Sequence, residues 1–265
     1  MRHLGLDFGA TFIKWVVLER DVVTAEGRLE TRSAEGTDAV LARLVAAGHA
    51  AGAVDTVGIG VPGLFDAASG TTTFLTNVPG GWPGVPVVAH VSDALEAPTA
   101  LINDARAFAL AESELGAARD CDTAVFVAVG TGVGGGVTVG GRLHEGREGR
   151  AGEIGHLTIA EKGPPCTCGN RGCLEALVRE ALGERKLRRA GQLLGVGVAN
   201  AVVLLAPERV VIGGGVGAIG EKLLEPLRRE VARRVFVSVP VEIVPAELGV
   251  LAGAIGAALR GAGRG

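Results

Sequence analysis

Twice along its length this chain sets a pair of apolar stretches around a short glycine-rich turn, and that repetition limits the folds open to it. Residues 4–9 and 12–18 flank Asp7-Phe-Gly-Ala-Thr11, and residues 124–129 and 135–139 flank Gly130-Thr-Gly-Val-Gly-Gly-Gly136. Short apolar runs bounded by turn residues read as strands. Beyond the first pair the pattern predicts a strand at 22–31, a helix at 37–50, a buried strand at 56–60, a helix at 85–95, a strand at 99–103 and a helix at 105–115. Beyond the second it predicts helices at 175–185 and 193–205, a strand at 209–212, a helix at 220–235, a strand at 241–244 and a last helix at 250–259. Strands alternating with helices define an α/β protein. Two such units imply two similar domains with a cleft between them, 1–104 and 105–265, the last helix packing back on the first.

Composition narrows the partners. At 265 residues the chain is long enough for a sizeable core, yet aromatics make up only 3% and Tyr is absent, so Val, Leu, Ala and Ile must fill it. The net charge of −3 is scattered and forms no basic stripe, so no nucleic acid is expected as a partner. No apolar run reaches membrane-spanning length, and Met1 leads straight into the first strand without a charged leader. A soluble, cytoplasmic protein with no membrane partner is expected. Cys121 stands apart and reads as a half-buried thiol just ahead of a strand.

The densest chemistry lies between Gly152 and Glu175, which brings Glu153, His156, Cys166, Cys168, Cys173 and Glu175 into one short segment. Three thiols and an imidazole suit a closed tetrahedral zinc site, with Cys166-Thr-Cys168 and Cys173 forming one tight knuckle. A purely scaffolding zinc clip and a disulfide are the competing readings. The two carboxylates on the same segment suggest a site built to hold something polar, and sugars need several oriented acceptors.

The turns point to phosphate. In the first, backbone N–H groups around Gly9 and the Thr11 hydroxyl are suited to cradle a phosphate while Asp7 orients Mg²⁺ through water, with Lys14 close behind. An ordinary hairpin turn is the alternative. In the second, Thr131 and Gly132 supply an equivalent cradle; a strand and not a helix follows, so the dinucleotide-binding reading fails. Gly213, Gly214 and Gly215, between a strand and a helix, offer close backbone approach beside a nucleoside, or simply a glycine-rich helix entry. Asp104, at a strand-to-helix junction next to Asn103, is either the helix cap or a general base for phosphoryl transfer.

In this order the motifs resemble those of the ROK family (repressors, open reading frames and sugar kinases), most of all its bacterial ATP-dependent glucokinases. The matching stretches are residues 7–11, Asn103-Asp104, 129–136, Gly152-Glu-Ile-Gly-His156, Cys166-Thr-Cys-Gly-Asn-Arg-Gly-Cys173-Leu-Glu175 and Val211-Ile-Gly-Gly-Gly215. The resemblance implies an actin-like, or ribonuclease-H-like, pair of domains that binds a sugar, ATP with Mg²⁺ and a structural Zn²⁺. It also implies a homo-oligomer serving carbohydrate metabolism and glycolysis. It makes Asp104 the catalytic base and gives the sugar hydroxyls Asn103, Glu153, His156 and Glu175, with Gly63 and Asn77 nearby. The zinc ligands it implies are His156, Cys166, Cys168 and Cys173, His156 using one ring nitrogen for metal and one for sugar.

The chain departs from the family pattern at Phe12, where Lys is usual, at Ala10 for a usual Gly, and at Arg106, where Asn is common. Between Glu175 and Ala206 it is also several helical turns short, in the region that covers nucleotide. The expected activity is phosphoryl transfer from Mg-ATP to a hexose hydroxyl, most simply O6 of glucose. The alternatives are fructose, mannose or an N-acetylhexosamine as acceptor, or a silent sugar-binding regulator. A repressor needs an N-terminal helix-turn-helix, and here the first strand begins within a few residues of Met1.

Overall fold

The computed structural model describes residues 1–76, 78–218, 220–236 and 240–265. Its contacts divide the chain into two compact units, Met1–Ala111 with Gly146–Gly149 and Leu251–Gly265, and Glu112–Glu145 with Arg150–Val250.

The first unit opens with β1 (Arg2–Phe8), β2 (Phe12–Glu19) and β3 (Val22–Glu30), an antiparallel meander. Then follow α1 (Thr37–Ala51), β4 (Thr56–Val61), a hairpin of β5 (Gly63–Asp66) and β6 (Thr71–Leu75), α2 (Val87–Leu95), β7 (Thr99–Asn103) and α3 (Asp104–Glu114). The sheet order is β3-β2-β1-β4-β7, with β1, β4 and β7 parallel. β4 is buried over nearly its whole length, as a strand covered on both faces must be. The core joins Leu4, Leu6, Val57 and Ile59 to Leu44 of α1 and Val87 and Val91 of α2, and Phe8 packs on Trp82 with ring centroids 5.2 Å apart. The sequence pattern does not predict this hairpin, whose strands are four and five residues long. Local chemistry closes it: the Asp66 carboxylate accepts the N–H groups of Ala68 and Ser69.

The second unit contains β8 (Ala124–Val129), β9 (Val133–Val139), the short β10 (Arg142–Leu143), α4 (Leu174–Gly183), α5 (Leu187–Leu205), β11 (Arg209–Gly213), α6 (Gly214–Gly217), α7 (Glu221–Arg234) and β12 (Glu242–Pro245). Its order, β10-β9-β8-β11-β12, repeats that of the first unit, a hairpin extended by parallel strands. Val125, Val127, Val210 and Ile212 meet Leu194, Val198 and Leu224 in its core. α5 starts six residues ahead of the expected 193, because Arg188 and Arg189 interrupt the apolar period while remaining exposed.

The final helix, α8 (Ala252–Gly261), belongs to the first unit and lies flat on β1 and β4. Side chains at Gly5 or Gly58 would collide with its backbone at Ala254 and Ala257, and one at Gly256 would collide with Ala107 of α3. That close packing keeps residues 104–111 of α3 with the first unit, while its last turn, from Glu112, groups with the second.

Candidate active site

In the first unit the carboxyl ends of β1, β4 and β7 lie along one sheet edge, the edge where open α/β sheets bind ligands. That edge collects Asp7, Gly9 and Thr11 from the first turn, Gly63 after β4, and Asn103 and Asp104 after β7. Asp7 and Lys14 face each other across the β1–β2 hairpin, with Lys14 Nζ 2.6 Å from Asp7 Oδ2. The turn is held by Gly9 N–H on the Phe12 carbonyl at 3.0 Å and by the Thr31 hydroxyl donating to the Gly9 carbonyl at 2.6 Å. Thr11 remains exposed. Gly253 in the first turn of α8 backs onto Asp7; a β-carbon there would sit 3.0 Å from its carboxyl carbon.

Asn103, and not Asp104, does the capping. Its Oδ1 accepts the N–H groups of Ala105 at 3.1 Å and Arg106 at 3.2 Å, while its Nδ2 donates to the Gly63 carbonyl at 3.2 Å. Asp104 starts α3 half-buried, and its Oδ1 accepts the Ala105 N–H at 2.8 Å. Arg106, two residues on, is buried with 2% of its surface exposed. Asn77 lies outside the described residues.

In the second unit three segments converge on the start of β9. The Thr131-Gly132 turn ends at Val133, whose N–H is accepted by Glu175 Oε2 at 2.9 Å. A short 3₁₀ turn, Ile154–His156, presses on the same residue so closely that a side chain at Gly155 would collide with the Val133 carbonyl. A side chain at Gly132 would in turn collide with the Glu175 carboxylate. Glu153 is exposed at the start of this segment and His156 is half-buried. Gly214, at φ +83°, lies against the backbone of Val129, so the third glycine turn sits beside the second. Of the residues expected in this unit, the structure therefore gathers Thr131, Gly132, Glu153, His156, Glu175, Gly213, Gly214 and Gly215 along one edge.

The metal-type side chains also come together. The ligand atoms of His156, Cys166, Cys168 and Cys173 all lie within 4.8 Å of one another. Cys166 Sγ is 3.7 Å from His156 Nδ1, and Cys168 Sγ is 3.7 Å from Cys173 Sγ. A tetrahedral zinc with Zn–S bonds of about 2.3 Å separates its sulfurs by about 3.8 Å, so the spacing fits a metal and is far too long for a disulfide. Burial pushes the Cys173 thiol up to about 12, and the neighbouring thiols push it the same way. A cation among the three sulfurs offsets that cost. The donor set leaves no open coordination position, so zinc bound here would be structural.

One buried carboxylate was not singled out from the sequence. Glu112, with no exposed surface, accepts the N–H groups of Ala117 at 2.9 Å, Glu247 at 3.1 Å and Leu248 at 2.8 Å. The signal was its place in a run of buried residues, Ala107 to Ala111, at the end of α3.

Fold and site define a mixed α/β protein of the actin-like, two-domain class found in the sugar-kinase structures it matches. The chain belongs to the ROK family, whose model matches residues 3–185 and 181–260. It is 31% identical to the glucokinase of Thermotoga maritima over 97% of this chain and 96% of the relative. It is 29% identical to the xylose repressor of Bacillus subtilis over 96% of this chain and 75% of the relative. Among solved structures, a ROK family glucokinase from Streptomyces griseus in complex with glucose and AMPPNP superposes with a TM-score of 0.87 at 27% identity, covering 99% of this chain and 100% of that one. A ROK hexokinase from Thermus thermophilus gives 0.83 at 33% identity, covering 99% and 98%. The family match changes stretch at 181–185, the join of α4 and α5, and the Thermotoga alignment spans 309 positions against 265 residues here.

Proposed function

We propose that this protein is a sugar kinase that transfers the γ-phosphoryl of Mg-ATP to a hexose hydroxyl, with O6 of glucose as the preferred acceptor. The observation that carries this reading is the convergence on Val133 of a glycine-threonine turn, the Glu153–His156 segment and Glu175, together with the glucokinase relatives. Phosphoryl transfer asks little covalent chemistry of the protein; it asks for positioning, charge and a base for the attacking hydroxyl. Asp104 is that base. Asn103 serves as the cap, and the half-buried Asp104 carboxylate beside it is the group that takes the hydroxyl proton. Glu153, His156 and Glu175 accept or donate to the remaining hydroxyls, and Asn103 has one amide hydrogen left to join them. The Gly9–Thr11 and Thr131–Gly132 turns and Gly213–Gly215 hold the triphosphate and nucleoside. Asp7 meets Mg²⁺, and its pairing with Lys14 fixes the carboxylate beforehand. Zinc on His156 and the three cysteines would stiffen the segment that carries the sugar ligands.

A coupled assay of the purified protein with Mg-ATP and a panel of hexoses tests the reading. Turnover with glucose, exceeding that with fructose, mannose and N-acetylhexosamines, is expected. The likeness to a xylose repressor favours a second reading, a sugar-binding regulator without turnover. Tight sugar binding with no phosphoryl transfer from any nucleotide would establish that one instead. The shortened α4–α5 join also bears on the donor. ATP should be used with a high KM and weak discrimination from GTP, because the triphosphate is held while the base is poorly covered; saturation at low micromolar ATP with GTP rejected contradicts this.

A further inference from the structure

A cavity of about 340 Å³ in the second unit plays no part in the site above. It opens among α4, α5, the end of α7 and the segment between His156 and Cys166. Its apolar side is formed by Ile159, Leu177 and Leu193, and its polar side by Arg189, Gln192, Arg233 and Arg234. Volumes near 300 Å³ and above are those of small-molecule pockets.

The arginines sit at the open rim: Arg189 is exposed, and the side chains of Arg233 and Arg234 are 66% and 41% exposed. Glu230, whose side chain is 13% exposed, accepts Arg233 Nη2 at 2.7 Å and Arg234 Nε at 2.6 Å on the same oxygen. The guanidinium of Arg233, and after it that of Arg234, holds the Glu230 carboxyl below the usual carboxylate range. One fixed negative charge thus anchors two guanidiniums at the rim, and with Arg189 the cavity carries a net charge of about +2. Arg189 and the half-buried Gln192 line it without a hydrogen bond or ion pair to any described residue. Arg188 and Arg189 also occupy the first turn of α5, where the helix dipole disfavours cations, so helix stability does not account for them. α5 and α7 are locked together by close approach of Gly191 to the Leu223 carbonyl and of Gly195 to the Leu227 carbonyl, which fixes the two walls that carry the charges.

We propose that this cavity binds a phosphate monoester of a small carbon skeleton, the dianion on Arg189, Gln192 and Arg234 and the skeleton on Ile159, Leu177 and Leu193. Planar guanidinium forks match phosphate oxygens in pairs, and the apolar side has no use for a bare inorganic ion. The ligand would also touch the metal segment. The N–H groups of Ile159 and Ala160 both donate to the Gly172 carbonyl, at 2.9 and 3.3 Å, next to Cys173. A molecule resting on Ile159 and Ala160 would therefore slow the opening of those two hydrogen bonds.

Calorimetric titration with a hexose monophosphate, glycerol phosphate, inorganic phosphate and sulfate, on wild type, Arg189→Gln and Thr131→Val, decides the matter, with amide hydrogen exchange at residues 159–160 read alongside. At least one ester should bind wild type. Arg189→Gln should weaken it on the order of tenfold or more, the worth of one charge-assisted hydrogen bond. Thr131→Val should leave it unchanged, and exchange at Ile159 and Ala160 should slow only in proteins that bind. Basal turnover of Arg189→Gln should equal that of wild type. The proposal is overturned by wild type binding neither ester, by Arg189→Gln binding as tightly as wild type, by loss of binding in Thr131→Val alone, or by phosphate or sulfate matching the esters. Every outcome that overturns the proposal is read from binding, so it is distinguished from failure of the kinase reading, which is read from turnover.

Discussion

The two units share a sheet order and differ in how they hold the residues at its carboxyl edge. In the first, the fixing contacts join the ends of regular elements: Asp7 to Lys14 across a hairpin, Thr31 to Gly9, and Asn103 both to the start of its own helix and to Gly63. In the second they tie down a long connection: Glu175 reaches back to Val133, and the ligand atoms of His156, Cys166, Cys168 and Cys173 gather within 4.8 Å of one another. A strand-turn-strand with a helix behind it positions a carboxylate through paired strands and close packing, as Gly253 of α8 backs Asp7. The connection from Gly152 to Glu175 is closed by isolated bridges, Thr158 with Cys173 and Pro165 with Arg171, and by the Glu175 side chain; a metal held by the cysteine cluster would add a further tie. The repeat therefore supplies a common edge, and each unit's elaboration decides what that edge can do.

The largest effect expected comes from the first unit. Asp104→Asn should lower turnover by about 10² to 10⁴, the usual range for a lost general base, while sugar affinity and thermal stability stay near wild type because Asn103 keeps the cap. Turnover within about threefold would reduce Asp104 to a helix-start residue. Next is Glu112→Ala, which leaves the buried Ala117 N–H and the part-buried N–H groups of Glu247 and Leu248 without their acceptor and should cost about 3 kcal/mol in urea unfolding. A loss below about 0.5 kcal/mol would mean that water replaces the carboxylate there.

Cys168→Ser sharpens the contrast between the units most directly. It should release zinc, measured by atomic absorption, and weaken sugar binding by about 10- to 100-fold with much less effect on nucleotide. A metal-free variant that binds glucose as tightly as wild type would break the link between knuckle and site. The smallest effect expected is from Asn103→Ala, about 1 kcal/mol of stability for a lost cap, together with loss of its bond to Gly63. A thermal midpoint unchanged by this substitution would show that Asp104 takes over the capping.

Much of this was legible in the residues themselves. The boundaries of β7 and β8 fall where apolar runs meet turn residues, and α1 and α7 follow a helical period to within a residue or so. The knuckle was legible because cysteine spacing reports a ligand set directly, and the three thiols and His156 do meet. Those signals are local, carried by neighbours in the chain. What tertiary structure decided are the pairings between distant residues: Glu175 with Val133, Gly214 with Val129, Gly253 with Asp7, Glu112 with Leu248. It also decided that Asn103 and not Asp104 caps α3, since an N-cap is set by backbone angles at one junction and two adjacent side chains were equally able to serve. The arginines of α5 and α7 form the clearest case. In the sequence Arg189 and Arg234 are ordinary helix-surface charges, and only the packing of two helices brings them to one cavity. Spacing along a chain fixes periodicity and local bonding, but which surface faces which is set by burial of apolar area across the whole unit, a sum that no short window contains.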